Sequence, residues 1–204
     1  MDEETKERAR VNSRLKYDVK FKIKHESDLF NVHVKNIISE HFGKITQIEG
    51  REDLKDLDFS GVDCWSSIDG DYRSISLRAS HQLMPNKNPW DTFTFRELEL
   101  KKRIKALDFD LEIHIPSYHI EYSFIDELLS IRYVSMRRII GIANAFVNNN
   151  LQALGRGICW KSWHNGERTL KFLVMECNWL IDNGIPVRRW NKGIGWDGPP
   201  LYQK

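Results

Sequence analysis

An α+β (α/β-like) fold, a single domain with a mixed central β-sheet flanked by helices, is what the apolar pattern of this chain predicts. Three stretches carry the expectation. "LKYDVKFKIKH" sets Leu15, Tyr17, Val19, Phe21 and Ile23 against Lys16, Asp18, Lys20, Lys22 and Lys24, a period of two that makes a strand with one buried face. "SDLFNVHVKNIISEHFG" repeats Phe30, Val34, Ile37, Ile38 and Phe42 at helical spacing, with Ser27 to cap its start and Gly43 to end it. "SGVDCWSSIDGDYRSISLRAS" reads as a hairpin: Val62 to Trp65, a turn at Asp69-Gly70, and a return through Ile75, Leu77 and Ala79.

The other elements follow in order. Residues 1–14 are polar and charged and read as a flexible N-terminal segment. "KITQIEG" reads as a strand, and "REDLKDLDFSG" as an acidic loop leading into the hairpin. "NPWDTFTFR" predicts a strand entered from a proline-containing turn, "ELELKKRIKAL" a short helix, and "FDLEIHI" another alternating strand. From Phe124 to about Phe146 the chain is rich in Leu, Ile and Arg without proline, which predicts one long buried helix. "GICWKSWHNGERTLKFLVM" predicts a hairpin turning at Asn165-Gly166, and "ECNWLIDNG" a short helix. Residues 15–187 therefore form one α/β domain, and 188–204 read as an irregular tail carrying Trp and Arg.

Bulk composition excludes several classes. The 204 residues are 41% hydrophobic and 29% charged, the balance of an ordinary globular chain. No apolar run approaches the roughly 20 residues that span a bilayer, so no membrane role is expected. "MDEETKERAR" has no apolar core behind its charges and does not read as a secretory signal. Cys64, Cys159 and Cys177 are widely spaced, as reduced thiols in a cytoplasmic protein would be. A net charge of +2 means that nucleic-acid binding would need a local basic patch. Walker loops, G-x-S-x-G elbows and H-E-x-x-H pairs are absent from the sequence.

Several clusters carry chemistry. Asp63 sits among apolar neighbours on the first hairpin strand and Arg78 on the second; the acid serves either a ligand or an ion pair with Arg78 or Arg73 across the hairpin. Asp110, Glu112 and His114 share one face of an alternating strand, an oxygen-plus-imidazole set suited to Mn, Fe or Zn or simply to a solvated face. Arg132, Arg137 and Arg138, placed on the long helix, would contact phosphates or bridge to Asp126 and Glu127. Near the C-terminus Trp160, Trp163, Trp190 and Trp196 are mixed with Lys161, Arg188, Arg189 and Lys192. That composition stacks unpaired bases, fills a protein interface, or packs a core.

"DLDFSGVDCW", "SISLRAS" and "FTFRELELKKRI" together give a loose resemblance, over roughly residues 27 to 115, to the PD-(D/E)XK nuclease superfamily, and more narrowly to small phage and plasmid proteins of that fold. The resemblance implies a restriction-endonuclease-like core acting on DNA or RNA with Mg or Mn. Asp63 matches the Asp that opens the family's hairpin, and Glu40 the glutamate of its first helix. Ser76 and Arg78 fall where the family has Glu-x-Lys. Both are departures: a hydroxyl replaces a carboxylate ligand, and a guanidinium that stays protonated would clamp phosphate rather than act as a base. Asp58 or Asp71 would have to supply the missing ligand. The expected function is therefore metal-dependent phosphodiester cleavage, or nucleic-acid binding alone, through Arg137, Arg138, Lys161, Arg188 and Arg189. The alternative is a non-enzymatic, virus-encoded protein of the host cytoplasm that inhibits a host defence complex through its Trp- and Arg-rich C-terminal region. A homodimer is compatible with either.

Overall fold

The computed structural model describes residues 27–47, 62–80, 88–108, 115–125, 127–148, 157–165 and 168–201, together with residues 3, 6, 7, 10 and 11. It is a mixed α+β fold. The chain is helical from residue 27, widens into a π-turn at Phe30–Val34, and continues as α1 (Lys35–Phe42). Three antiparallel strands follow: β1 (Lys44–Gln47), β2 (Cys64–Ile68) and β3 (Asp71–Ser80). Next come β4 (Thr92–Arg96), α2 (Glu97–Asp108), β5 (Tyr118–Phe124), β6 (Leu128–Ser135) and α3 (Met136–Asn148). The chain ends with β7 (Ile158–Asn165), β8 (Arg168–Glu176), α4 (Cys177–Asp182), β9 (Val187–Asn191) and β10 (Gly195–Trp196).

These strands make a seven-stranded sheet in the order β1-β2-β3-β5-β6-β9-β10 and a three-stranded sheet, β4-β8-β7. The large sheet is antiparallel except where β3 and β5 run parallel, joined through β4 and α2, the long crossover that a parallel pair requires. Its two faces are both covered. Ile75, Ile120, Tyr122, Ile131 and Tyr133 face α1 and share a core with its Ile38 and Phe42. On the other side, α2, α3, β4 and β8 close a second core containing Phe93, Phe95, Leu100, Ile139, Ile140 and Leu173.

Gly43 shows why the α1 boundary is legible. It has φ +69° and ψ −145°, a region glycine alone visits at little cost, while its N–H closes the helix on Ser39 O at 2.8 Å. A Cβ there would lie 2.5 Å from Ile68 Cγ1 and 2.6 Å from Ser67 O. Gly43→Ala is expected to destabilise the fold by about 3 kcal/mol, read as a lower urea midpoint at unchanged slope; a shift below about 0.5 kcal/mol would contradict this placement.

Three expectations need correction. The long helix from Phe124 to Phe146 is instead the end of β5, all of β6, and α3, which starts only at Met136. The turn at residues 125–127 contains neither Gly nor Pro, so nothing punctuates the apolar run, yet "SIRYVS" is rich in the β-branched and aromatic residues that strands favour. Residues 187–196 are not an irregular tail: β9 pairs with β6 inside the large sheet, and β10 folds back on β9. In the second hairpin Asn165 pairs with Arg168, so Asn165 belongs to the strand rather than to the turn expected at Asn165-Gly166. The strand at 15–24, the acidic loop at 51–61 and all but Ile115 of "FDLEIHI" lie outside the described residues.

Candidate functional site

The β2–β3 hairpin places its side chains by alternation. Ile75, Leu77 and Ala79 turn toward α1, which leaves Ser76 and Arg78 on the opposite face, toward β4 and β8. Asp63 stands just before β2. Its N–H donates to Ile75 O at 2.8 Å, and its Oδ2 accepts the Leu77 N–H at 2.6 Å. The carboxylate thus stands in for a backbone carbonyl and extends the ladder by one bond, which fixes its orientation against β3.

Arg78 is fixed as well. Its Nη1 donates to Thr94 O at 2.6 Å, and its guanidinium carbon lies 5.6 Å from the centre of the Phe172 ring. A second guanidinium joins it from α2. Arg103 is only 9% exposed, and its one hydrogen bond among the described residues is a weak contact from Nη1 to Met136 Sδ at 3.9 Å. Burial pulls the Arg103 pKa below its ordinary value; Glu99 and Asp63 oppose that shift and Arg78 adds to it. Asp63, Arg78 and Arg103 therefore act on one another electrostatically within one neighbourhood, with Glu99 at its rim.

Beneath them runs a buried polar network. The parallel register sets Ser76 beside His119 and Arg78 beside Glu121. Glu121 accepts from Thr94 N at 2.6 Å, His119 Nε2 at 3.2 Å and Arg132 Nη2 at 3.1 Å. A carboxylate only accepts, so His119 carries its proton on Nε2 and takes the Ser76 hydroxyl proton at Nδ1, 3.2 Å away. Arg132 also donates from Nε to Thr92 O at 2.6 Å and from Nη1 to Ser123 Oγ at 3.2 Å. Burial pushes the Glu121 carboxyl up, but the His119 hydrogen bond and the charges of Arg132 and Arg78 outweigh it and hold the group below the usual carboxylate range. Burial lowers His119, more than Glu121 raises it, so the imidazole is neutral. The network ties β3, β4, β5 and β6 together and leaves its acid and base saturated.

The structure gathers some of the expected site residues and separates others. Asp63 and Arg78 belong together. Glu40 does not join them: it is exposed on α1, whose buried residues Ile38 and Phe42 cover the opposite face of the sheet from Ser76 and Arg78. No single ion could be shared by Glu40 and Asp63 across that sheet. Asp71, at the hairpin tip, pairs with Arg73 at 3.1 Å. Asp58 and the Asp110, Glu112, His114 set lie outside the described residues. Among the described residues no group of three or more His, Cys, Asp or Glu side chains is close enough to hold a metal ion.

The basic set also divides. Arg132 is buried on β6 rather than displayed on a helix, because the strand's second face is covered too. Arg137 and Arg138 are exposed in the first turn of α3, which contains no acidic residue, so two cations stand at the positive end of the helix dipole. Burial pushes the Tyr118 hydroxyl up, and Arg73 and Arg138 both lie near enough to oppose that shift. Lys161 is exposed on β7. Arg188 and Arg189 are engaged internally: Arg188 Nε donates to Pro199 O at 2.6 Å, and Arg189 pairs with Asp91 at 2.8 Å and Asn178 at 2.7 Å. Trp190 and Trp196 pack against the α1-side core and Trp160 against the other.

Sequence reasoning missed Arg103, Glu121 and His119. A signal for the last two was present in "YHIEYSF", where His119, Glu121 and Ser123 alternate with Ile120 and Tyr122. Arg103 had no such signal, since a helix shows which side is buried only through its neighbours. Among the described residues no helix is long and apolar enough to cross a membrane. No protein-family model, curated protein or solved structure matches this chain.

Proposed function

We propose that this protein engages the phosphodiester backbone of nucleic acid at the face shared by Asp63, Arg78 and Arg103. The observation that supports the reading is the pairing of an oriented guanidinium with a mostly buried one that, among the described residues, has no carboxylate in ion-pair range, beside a fixed acid. A buried cation is costly unless something satisfies it, and phosphate oxygens accept from guanidinium in a matching fork geometry. The acid-free, arginine-bearing start of α3 offers further phosphate contacts at the edge of the same sheet.

Binding is the primary activity in this reading. Cleavage through Mg or Mn would need Asp58 to join Asp63, since Ser76 occupies the position of the second carboxylate and its hydroxyl is committed to His119. The scaffold is then nuclease-like, in line with the resemblance carried by Asp63 and Arg78, while the second carboxylate has become part of a structural network.

The test is a salt series of polarisation measurements with single- and double-stranded DNA and RNA oligonucleotides. The wild type is expected to bind with a clearly negative slope of log K on log salt. Arg103→Gln and Arg138→Gln should each flatten that slope by about one unit. Plasmid nicking with Mg or Mn, compared with Asp63→Ala, reads the cleavage question separately. Binding that is absent in low salt for all four nucleic acids would end this reading.

A further inference from the structure

Far from that face, the C-terminal segment is held to α1 and β6 by an aromatic contact whose centre is titratable. His41, 6% exposed, stacks on Trp196 with ring centroids 4.1 Å apart and planes at 21°. Its Nδ1 lies 2.8 Å from Tyr133 Oη, and the same hydroxyl oxygen accepts the Leu201 N–H at 3.1 Å. One imidazole thus joins two of the ties of residues 196–201: the ring of Trp196 directly, and the backbone of Leu201 through Tyr133. The segment is also tied to β9, by Arg188 Nε donating to Pro199 O at 2.6 Å, Asp197 N–H donating to Arg189 O at 2.9 Å and Arg189 N–H donating to Asp197 Oδ1 at 3.0 Å.

We propose that His41 is a proton-operated latch: as the neutral imidazole it holds Trp196 and Leu201 against α1 and β6, and as the imidazolium it releases them. The assignment rests on what each state can do. With the neutral ring's proton on Nε2, Nδ1 accepts the Tyr133 hydroxyl proton while that oxygen accepts from Leu201. A protonated ring is a donor at both nitrogens, so its Nδ1–H would donate to Tyr133 Oη and turn the hydroxyl proton away, while its charge would sit in a site that leaves the residue only 6% exposed.

Every charged group facing the ring enters the balance. Burial in the aromatic cluster lowers the His41 pKa most strongly, and Arg188 on β9 lowers it further. Glu40 on α1 and Asp197 after β10 raise it, and the face of Trp196 favours a cation as well. The net direction is down. A histidine whose latched-state pKa is depressed binds its proton more readily when released. The latch is therefore strongest above about pH 6.5, the ordinary histidine value, and weakens as the pH falls from there toward the depressed one. A second feature favours release: among the described residues the buried Trp196 Nε1 has no hydrogen-bond partner, so leaving the site satisfies it with water.

A proton-linked step of this kind loses tenfold in the latched-to-released ratio per pH unit within the window. The test follows, in one NMR titration of the full chain, the His41 ring, the Trp196 indole N–H and the Leu201 amide, with the Ile120 and Ile131 amides as internal controls. The expected result is loss of Trp196 and Leu201 protection with the His41 transition, below the ordinary histidine midpoint, while Ile120 and Ile131 stay protected. Asp197→Asn, which keeps an oxygen for the Arg189 N–H, should retain the transition and move it to lower pH. Protection of Trp196 that survives charging of His41 would overturn the latch. So would loss of all four protections together, which is global unfolding, or disappearance of the transition in Asp197→Asn.

Discussion

Arg132→Met is expected to destabilise the protein by about 3–5 kcal/mol, because it leaves Glu121 ionised and buried with its Arg132 ion pair removed. The two side chains are each 2% exposed, so solvent cannot take over the lost partner. Chemical denaturation at neutral pH measures the loss. A double replacement, Arg132→Met with Glu121→Gln, should recover part of it, since no uncompensated charge then remains; non-additivity of at least about 1 kcal/mol is the signature of a real pair. Equal and additive losses would mean that packing alone carries the effect. Acid acts on the same network with a definite sign. His119 is depressed below its ordinary value, so stability is lost as the pH falls below about 6.5; Glu121 is depressed as well, so a further loss begins below about pH 4.3.

Tyr133→Ala is the second large expectation, at about 3–5 kcal/mol. Tyr133 is fully buried and meets Phe42 at 4.7 Å, Trp196 at 5.6 Å and Tyr118 at 6.0 Å between ring centroids, all in edge-on geometry. Removing the ring opens a cavity between α1 and the large sheet and unties His41 and Leu201 at once. Tyr133→Phe separates the two contributions. It keeps the packing and deletes the hydroxyl, so it should cost only about 1–2 kcal/mol globally while abolishing Leu201 amide protection. If Tyr133→Phe costs as much as Tyr133→Ala, the hydroxyl and not the ring dominates this core.

Elements whose signal is local were legible in the sequence. The β2–β3 hairpin was readable because Asp69-Gly70 supplies the two positive-φ positions its turn needs, φ 49° and 86°. The end of α1 was readable from Gly43, and β4, α2 and α4 from short runs bounded by proline, glycine or a change of period. The strands β5, β6 and β9 were not. β5 and β6 are covered on both faces, so their polar residues are as buried as their apolar ones, and β9 is half-buried along most of its length. Arg132 was assigned to a displayed helix for that reason, and Arg188 and Arg189 to a free tail.

The candidate site divides along the same line. Asp63 accepts from Leu77, fourteen residues on in the same hairpin, so strand alternation alone could relate it to β3, and the same alternation puts Arg78 on the face of Ser76. Glu40 could be tied to them only by knowing which face of the sheet α1 covers, and it covers the other one. Arg103 and Glu121 reach the site from α2 and β5 through the parallel crossover, a contact that no local pattern encodes.

By itself, then, the order of residues determined the class of fold, the first hairpin and the acid–arginine pair it presents, because periodicity and turn chemistry act within a few residues. Tertiary structure decided which groups meet. The parallel β3–β5 pairing puts Ser76 beside His119 and Arg78 beside Glu121, and burial on both faces turns charges that would be solvated in isolated strands into a saturated internal network. Folding β9 onto β6, and β10 onto β9, likewise turns a Trp- and Arg-rich terminus from an available surface into one packed against the core.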